Sequence, residues 1–164
     1  MSRELTDLRW IGSTDLIEGK EPMVVSTGNA FMIVPLQNEA SLAAIAPNWE
    51  AITQISETLD LIGYYVYTSQ TQVNQRDAAA RMFAPYYGIQ EEAATGMAVG
   101  PLAWFLYDQV GIKQREFLIE QGYLMQPSFP SVLTVQLNLE EGQIQNLMVG
   151  GTAIVSRTRE IELS

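Results

Sequence analysis

The chain has 164 residues, with 19 Asp and Glu against nine Lys and Arg, no His and no Cys, and a formal net charge of −10 at pH 7. A surface this acidic repels nucleic acid and anionic membranes over most of its area, so neither is expected as a partner. Without Cys or His there are no disulfides, thiolate nucleophiles, zinc-thiolate sites or imidazole proton carriers, and acid-base chemistry falls to Glu, Asp, Lys or Tyr.

The sequence holds no run of eighteen apolar residues and no basic, apolar leader, so a soluble, cytoplasmic chain is expected. Residues 1–23 read as an N-terminal extension with a short strand around Leu8 to Ile11, and residues 24–164 as a single domain. Met23 to Ser26 and Phe31 to Leu36 are β-branched, apolar strands separated by Thr27-Gly28-Asn29, where Gly28 and Asn29 tolerate the positive φ of a sharp turn. After Pro47 the period changes. Trp49, Ile52, Ile55 and Leu59 recur at three and four, which predicts an amphipathic helix from about Asn48 to Leu59 behind one short helical turn, with Trp49 as packing. Ile62 to Thr68 is the next strand, Ser69 to Asp77 a polar surface loop, and Ala79 to Tyr87 a further strand. On it Arg81 is a bidentate donor close to an acidic pair, suited to an ion pair that holds a loop.

The centre of the chain is Glu91-Glu92-Ala93-Ala94-Thr95-Gly96-Met97-Ala98 and the residues that follow. From Ala98 to Val110 the only ionisable side chains are Tyr107 and Asp108, and a helix apolar on nearly every face must be wrapped by other structure. Thr95 is suited to capping it with its hydroxyl, and Pro101 suits a helix that starts late, near Val99. The free N–H groups of a first turn carry partial positive charge, and with glycine at 96 an anion can approach the backbone directly. On residue types alone the acids either complement the helix dipole or stand beside an anion pocket as proton carriers. Beyond the stop at Gly111, strands are predicted over Phe117 to Met125, Val132 to Leu139 and Gln143 to Ser156, with Glu141-Gly142 turning between the last two and Gly150-Gly151 interrupting the final one. Eight strands and one wholly apolar helix predict an α+β fold: a rolled, mostly antiparallel sheet wrapped around one central buried helix.

The stretch from Glu91 to Ala98 resembles the second-half signature of the PhzF-like isomerases of phenazine biosynthesis, Glu-Asp-Pro-Ala-Thr-Gly-Ser-Ala, leading into a buried helix. Ser26-Thr27-Gly28-Asn29-Ala30, Arg81-Met82-Phe83-Ala84-Pro85, Gln121-Gly122 with Pro127-Ser128, and Val149-Gly150-Gly151-Thr152-Ala153 are similar to further segments of that half, in order. The resemblance implies one half of the diaminopimelate-epimerase-like fold, in which two similar halves each roll a sheet round a helix and the substrate binds between the helix N-termini. It implies proton transfer on a small carboxylic acid without metal or organic cofactor. Glu92 is then the catalytic candidate, with Thr95, Gly96, Met97, Gly28 and Asn29 as substrate-binding candidates. Against the signature, Glu92 replaces aspartate, Met97 replaces serine, and Gln126 replaces an arginine before Pro127. The family's proton-transferring glutamate belongs to the first half, whereas this chain corresponds to about the second. Three arrangements follow: a site completed by a separate first-half chain, a homodimer in which a true two-fold replaces the internal one, or a non-catalytic module that binds a small carboxylate or regulates.

Overall fold

The computed structural model describes residues 15–155 and 157–161. The strand expected at Leu8 to Ile11 lies outside the described residues.

Strands β1 (Met23–Ser26) and β2 (Ala30–Pro35) form the expected hairpin, and Gly28 takes φ 132 between them; Asn29 does not use the positive-φ region. Helices α1 (Glu39–Ala43) and α2 (Trp49–Leu59) follow. Each begins at an asparagine whose side-chain oxygen takes a first-turn N–H, Asn38 from Ser41 and Asn48 from Ala51. Strands β3 (Gly63–Thr68) and β4 (Ala78–Ala84) come next. The strand expected to reach Tyr87 ends at Ala84, because Pro85 cannot donate to a ladder and opens a 3-10 turn over Pro85–Tyr87. Gly88 at φ 76 then reverses the chain into β5 (Ile89–Glu92), a short strand that no periodicity announced.

The apolar helix α3 spans Gly96–Phe105 and runs on through a π-helical turn, Leu106–Val110, to Gly111 at φ 88. It starts at Gly96 and not near Val99, so Pro101 lies inside it. Strands β6 (Glu116–Gln121), β7 (Ser131–Glu140) and β8 (Gln143–Gly150) complete the chain. Both β6 and β8 are shorter than the sequence suggested. Gly122 at φ 81 stops the first, and the second ends where Gly150-Gly151 begins. Glu141 and Gly142, both at positive φ, make the predicted turn between β7 and β8.

The sheet runs β1-β2-β3-β4-β6-β7-β8, with β5 paired to β4; β2 with β3 and β4 with β6 are parallel and the other pairs antiparallel. Period-two alternation sorts its side chains between two apolar clusters. Phe31, Ile33, Tyr65, Tyr67, Ala80, Met82, Phe117, Ile119 and Val135 turn inward around Val99, Leu102, Ala103 and Phe105 of α3. Met32, Val34, Tyr64, Val66, Ala79 and Phe83 turn outward beneath Leu42 of α1, Ile52 of α2 and Ile45 of the connection between them. The central strands are therefore buried on both faces, and the α+β roll around one helix is as predicted. Trp49 packs edge-on to Phe83. At the negative end of α3, Lys20 Nζ donates to the Gln109 carbonyl and Lys113 Nζ to that of Tyr107, both at the end a cation favours.

Candidate functional site

The pairing of β5 with β4 decides what the two adjacent glutamates do. Glu92 pairs with Met82, an inward-facing residue. Successive strand residues face opposite ways, so Glu91 is delivered to the outer face with Arg81 and Glu92 to the inner face beside α3. Arg81 grips Glu91 with Nε to Oε1 and Nη2 to Oε2, each at 2.8 Å, while its Nη1 donates to the carbonyls of Leu42 and Ile45. This is the ion pair that the sequence suggested, and it ties β4, β5 and the end of α1 together.

Glu92 meets the start of the buried helix. The Thr95 hydroxyl donates to Glu92 Oε2 at 2.7 Å and makes no capping bond to the first turn, contrary to its expected role. Capping needs the hydroxyl oxygen as an acceptor, and that oxygen already accepts from Gln121 Nε2 at 3.0 Å while its proton is held by the carboxylate. The first turn is closed by backbone alone, with the Thr95 carbonyl accepting from the N–H groups of Ala98 and Val99. The N–H groups of Gly96 and Met97 meet no acceptor among the described residues. Glu92 Oε1 likewise has no hydrogen bond there.

The β1–β2 turn stands against this helix end. A Cβ on Gly100 would meet Thr27 Oγ1 at 3.4 Å and Leu147 Cδ1 at 3.0 Å, and one on Gly96 would meet Val149 Cγ1 at 3.7 Å. Asn29 Nδ2 donates to the sulfur of Met97 at 3.2 Å, and Met97 is 56% exposed. Met97, Thr95 and Glu92 thus lie together with Asn29 around one helix terminus. Gly28 lies at the tip of the adjacent turn, with its N–H on the Ser26 hydroxyl. Thr95 is 3% exposed, so it is a wall of this site, while Gly96 and Met97 are its open rim.

Sequence reasoning missed the side chains beneath. Gln121, at the end of β6 and 1% exposed, accepts from the Tyr65 hydroxyl (2.8 Å) and the Thr95 N–H (3.2 Å) through Oε1. Through Nε2 it donates to the Glu92 carbonyl (2.6 Å) and the Thr95 hydroxyl (3.0 Å). Every hydrogen-bonding position of the buried amide is used in the direction its chemistry requires. Tyr65 is fully buried, and loss of hydration pushes its phenol far above the ordinary tyrosine value, so it serves as a donor. No local signal could reveal this, because Tyr65 and Gln121 are 56 positions apart. Among the described residues no cluster of acidic side chains is arranged to hold a metal ion.

Comparison with known proteins agrees with this architecture. The chain is 27% identical over 165 aligned positions to an uncharacterized isomerase of Clostridium acetobutylicum, a match that covers 94% of this chain and 52% of that protein. It is also 27% identical to the trans-2,3-dihydro-3-hydroxyanthranilate isomerase of Pseudomonas chlororaphis, over 94% of this chain and 51% of the relative. The chain thus spans about half the length of these curated relatives. A phenazine biosynthesis protein of the PhzF family from Bacillus anthracis superposes with a TM-score of 0.70 at 21% identity, over 89% of this chain and 50% of that one, and shares the fold. The family described as phenazine biosynthesis-like protein, PhzC-PhzF, matches residues 2–159, and the chain belongs to it.

Proposed function

We propose that this chain supplies one half of a PhzF-like isomerase site, in which Glu92 carries a proton to or from a small carboxylic acid held at the N-terminus of α3. The observation that carries this reading is the setting of Glu92. One carboxylate oxygen is fixed by the Thr95 hydroxyl at 2.7 Å, the other lacks a partner among the described residues, and the unpaired N–H groups of Gly96 and Met97 lie a few residues along the same turn. A carboxylate substrate would accept from those N–H groups and from the positive end of the helix dipole, while Glu92 abstracts or returns a proton at a neighbouring carbon. Asn29, with Gly28 behind it, would line the mouth. The remaining wall would come from a first half or from a second copy, in keeping with relatives about twice as long.

Met97 favours a second reading. At the place where the resemblance expects a hydroxyl, the thioether is tethered by Asn29 and contributes no strong donor. A non-catalytic module that binds a small carboxylate, or a regulatory one, would keep the helix terminus and dispense with that hydroxyl.

Glu92→Gln separates the two. The test is turnover of trans-2,3-dihydro-3-hydroxyanthranilate and solvent deuterium incorporation into it, alongside calorimetric binding. Turnover that disappears in the variant supports proton transfer by Glu92, whereas undiminished turnover removes Glu92 from that role. Carboxylate binding with no turnover in the unaltered protein supports the module. The solution mass over a range of concentrations reports whether the site is completed by a second copy.

A further inference from the structure

We propose that Gln121 is the positioning residue of this site: its buried side-chain amide fixes the orientation of the Thr95 hydroxyl and thereby the rotamer of Glu92. The inference rests on the reading of Glu92 as the reactive carboxylate. The positioning itself stands on geometry alone.

The backbone determines which way the amide faces. The Thr95 main-chain N–H can only donate, so the side-chain atom 3.2 Å from it is the oxygen of Gln121. The Glu92 main-chain carbonyl can only accept, so the atom 2.6 Å from it is the nitrogen. A flipped amide would bring oxygen against oxygen and N–H against N–H, both buried. With the orientation fixed, the second N–H of Gln121 points at Thr95 Oγ1, 3.0 Å away. The hydroxyl oxygen is then an acceptor on that side, and its single proton goes to Glu92 Oε2 at 2.7 Å. Tyr65 closes the chain from the other end by donating to the same amide oxygen at 2.8 Å. The result is a one-way series of donors from Tyr65 through Gln121 and Thr95 to Glu92. It leaves Glu92 Oε1 as the oxygen without a hydrogen bond among the described residues.

The series also explains why Gln121 stands last on β6. It lies on the inward face with Phe117 and Ile119, and Gly122 at φ 81 turns the chain away immediately afterwards. A polar amide is thus placed at the rim of an apolar roll, where four polar partners from β3, β5 and the start of α3 meet.

The full chain, with Glu side chains carrying carboxyl ¹³C, tests this through the Glu92 resonance, assigned by its loss in Glu92→Gln. Thr95→Val defines the displacement caused by losing the hydroxyl bond. Gln121→Met keeps the volume and removes all four hydrogen bonds; it is expected to displace the resonance in the same direction and by a comparable amount. Val135→Ala, a cavity variant of the same core, controls for destabilisation and is expected to leave the resonance in place. If Gln121→Met does not fold, Gln121→Asn, which keeps an amide but shortens its arm by one methylene and withdraws it from the Thr95 hydroxyl, is read the same way. A Glu92 resonance that moves no further in the folded variant than in Val135→Ala overturns the proposal. In turnover of trans-2,3-dihydro-3-hydroxyanthranilate, Gln121→Met is expected to lower kcat by about tenfold to a hundredfold with KM nearly unchanged, as a misplaced reacting group does. A loss expressed in KM alone counts against positioning. An unaltered protein that turns nothing over sinks the Glu92 reading only, and the carboxyl resonance then decides the role of Gln121 by itself.

Discussion

Arg81 and Glu91 meet through two parallel hydrogen bonds, and the pair is largely withdrawn from solvent, with side-chain exposures of 12% and 17%. Its third arm, Nη1, reaches the carbonyls of Leu42 and Ile45, so one guanidinium fastens the β4–β5 unit to the segment after α1. Because β5 carries Glu92 on its opposite face, this pair on the outer surface sets where the site carboxylate stands on the inner one.

Arg81→Met leaves the Glu91 carboxylate partly buried without its partner and removes the donor to the carbonyls of Leu42, Ala43 and Ile45. A loss of about 3 kcal/mol in unfolding free energy is expected by denaturant titration. Arg81→Lys keeps the charge but not the planar fork and should recover less than half of it. A change below about 0.5 kcal/mol for Arg81→Met would mean that the pair contributes no more than an exposed surface bridge.

Gly122 sits at φ 81, and a Cβ there would overlap the Phe129 carbonyl oxygen and stand 3.0 Å from that of Ala93. Gly122→Ala is therefore strained in its backbone and blocked by main-chain atoms that cannot rotate away. A cost of about 3 kcal/mol or more is expected, read as a lower denaturation midpoint. The new clash with the Ala93 carbonyl falls next to Glu92, so carboxylate binding should weaken in any fraction that still folds. A midpoint equal to that of the unaltered chain would refute the close approach.

Tyr64, Tyr65 and Tyr67 are buried, and loss of hydration raises all three phenols: Tyr64 to about 12, opposed in part by its hydrogen bond with Ser56, and the other two further still. A phenol whose folded value exceeds its unfolded value of about 10 favours folding fully below that pH. The contribution is lost as the pH climbs through the folded values. Stability should hold constant with respect to these groups up to about pH 10 and fall steeply towards 12, with their phenolate absorbance appearing only as the chain unfolds. Ionisation of all seven tyrosines in a chain whose amide circular dichroism is intact would contradict this.

Met97→Ser tests the rim of the proposed site. The change frees Asn29 Nδ2 from the thioether and places a hydroxyl beside the exposed N–H groups of the first helical turn. A hydrogen bond to a charged ligand contributes about 1.5 kcal/mol, so small carboxylates should bind roughly tenfold more tightly. Calorimetry with the same carboxylate on both proteins measures it. Weaker binding to the serine variant would assign the thioether itself to the contact.

Much of this protein was determined locally. The apolar run after Gly96 forced a buried helix, because there is no face of it that water could solvate. The alternation of β7 and the asparagine at the head of α2 likewise spoke through their own neighbours. Glu92, Thr95 and Met97 could be named from one contiguous stretch, since a helix terminus carries its chemistry in consecutive residues. Tertiary structure alone decided how that stretch is used. Pairing with β4 made Ile89 to Glu92 a strand, against a sequence too short and too polar to announce one, and its two-residue period sent Glu91 to Arg81 and Glu92 to the helix. The Gln121 amide took the Thr95 hydroxyl oxygen as its acceptor and Glu92 took the proton, which holds the hydroxyl away from the capping role that its residue type predicts. Gln121 and Tyr65 joined the candidate site only because the roll brings the end of β6 to the middle of β3, and hydrogen bonds between residues so far apart leave no trace in local pattern.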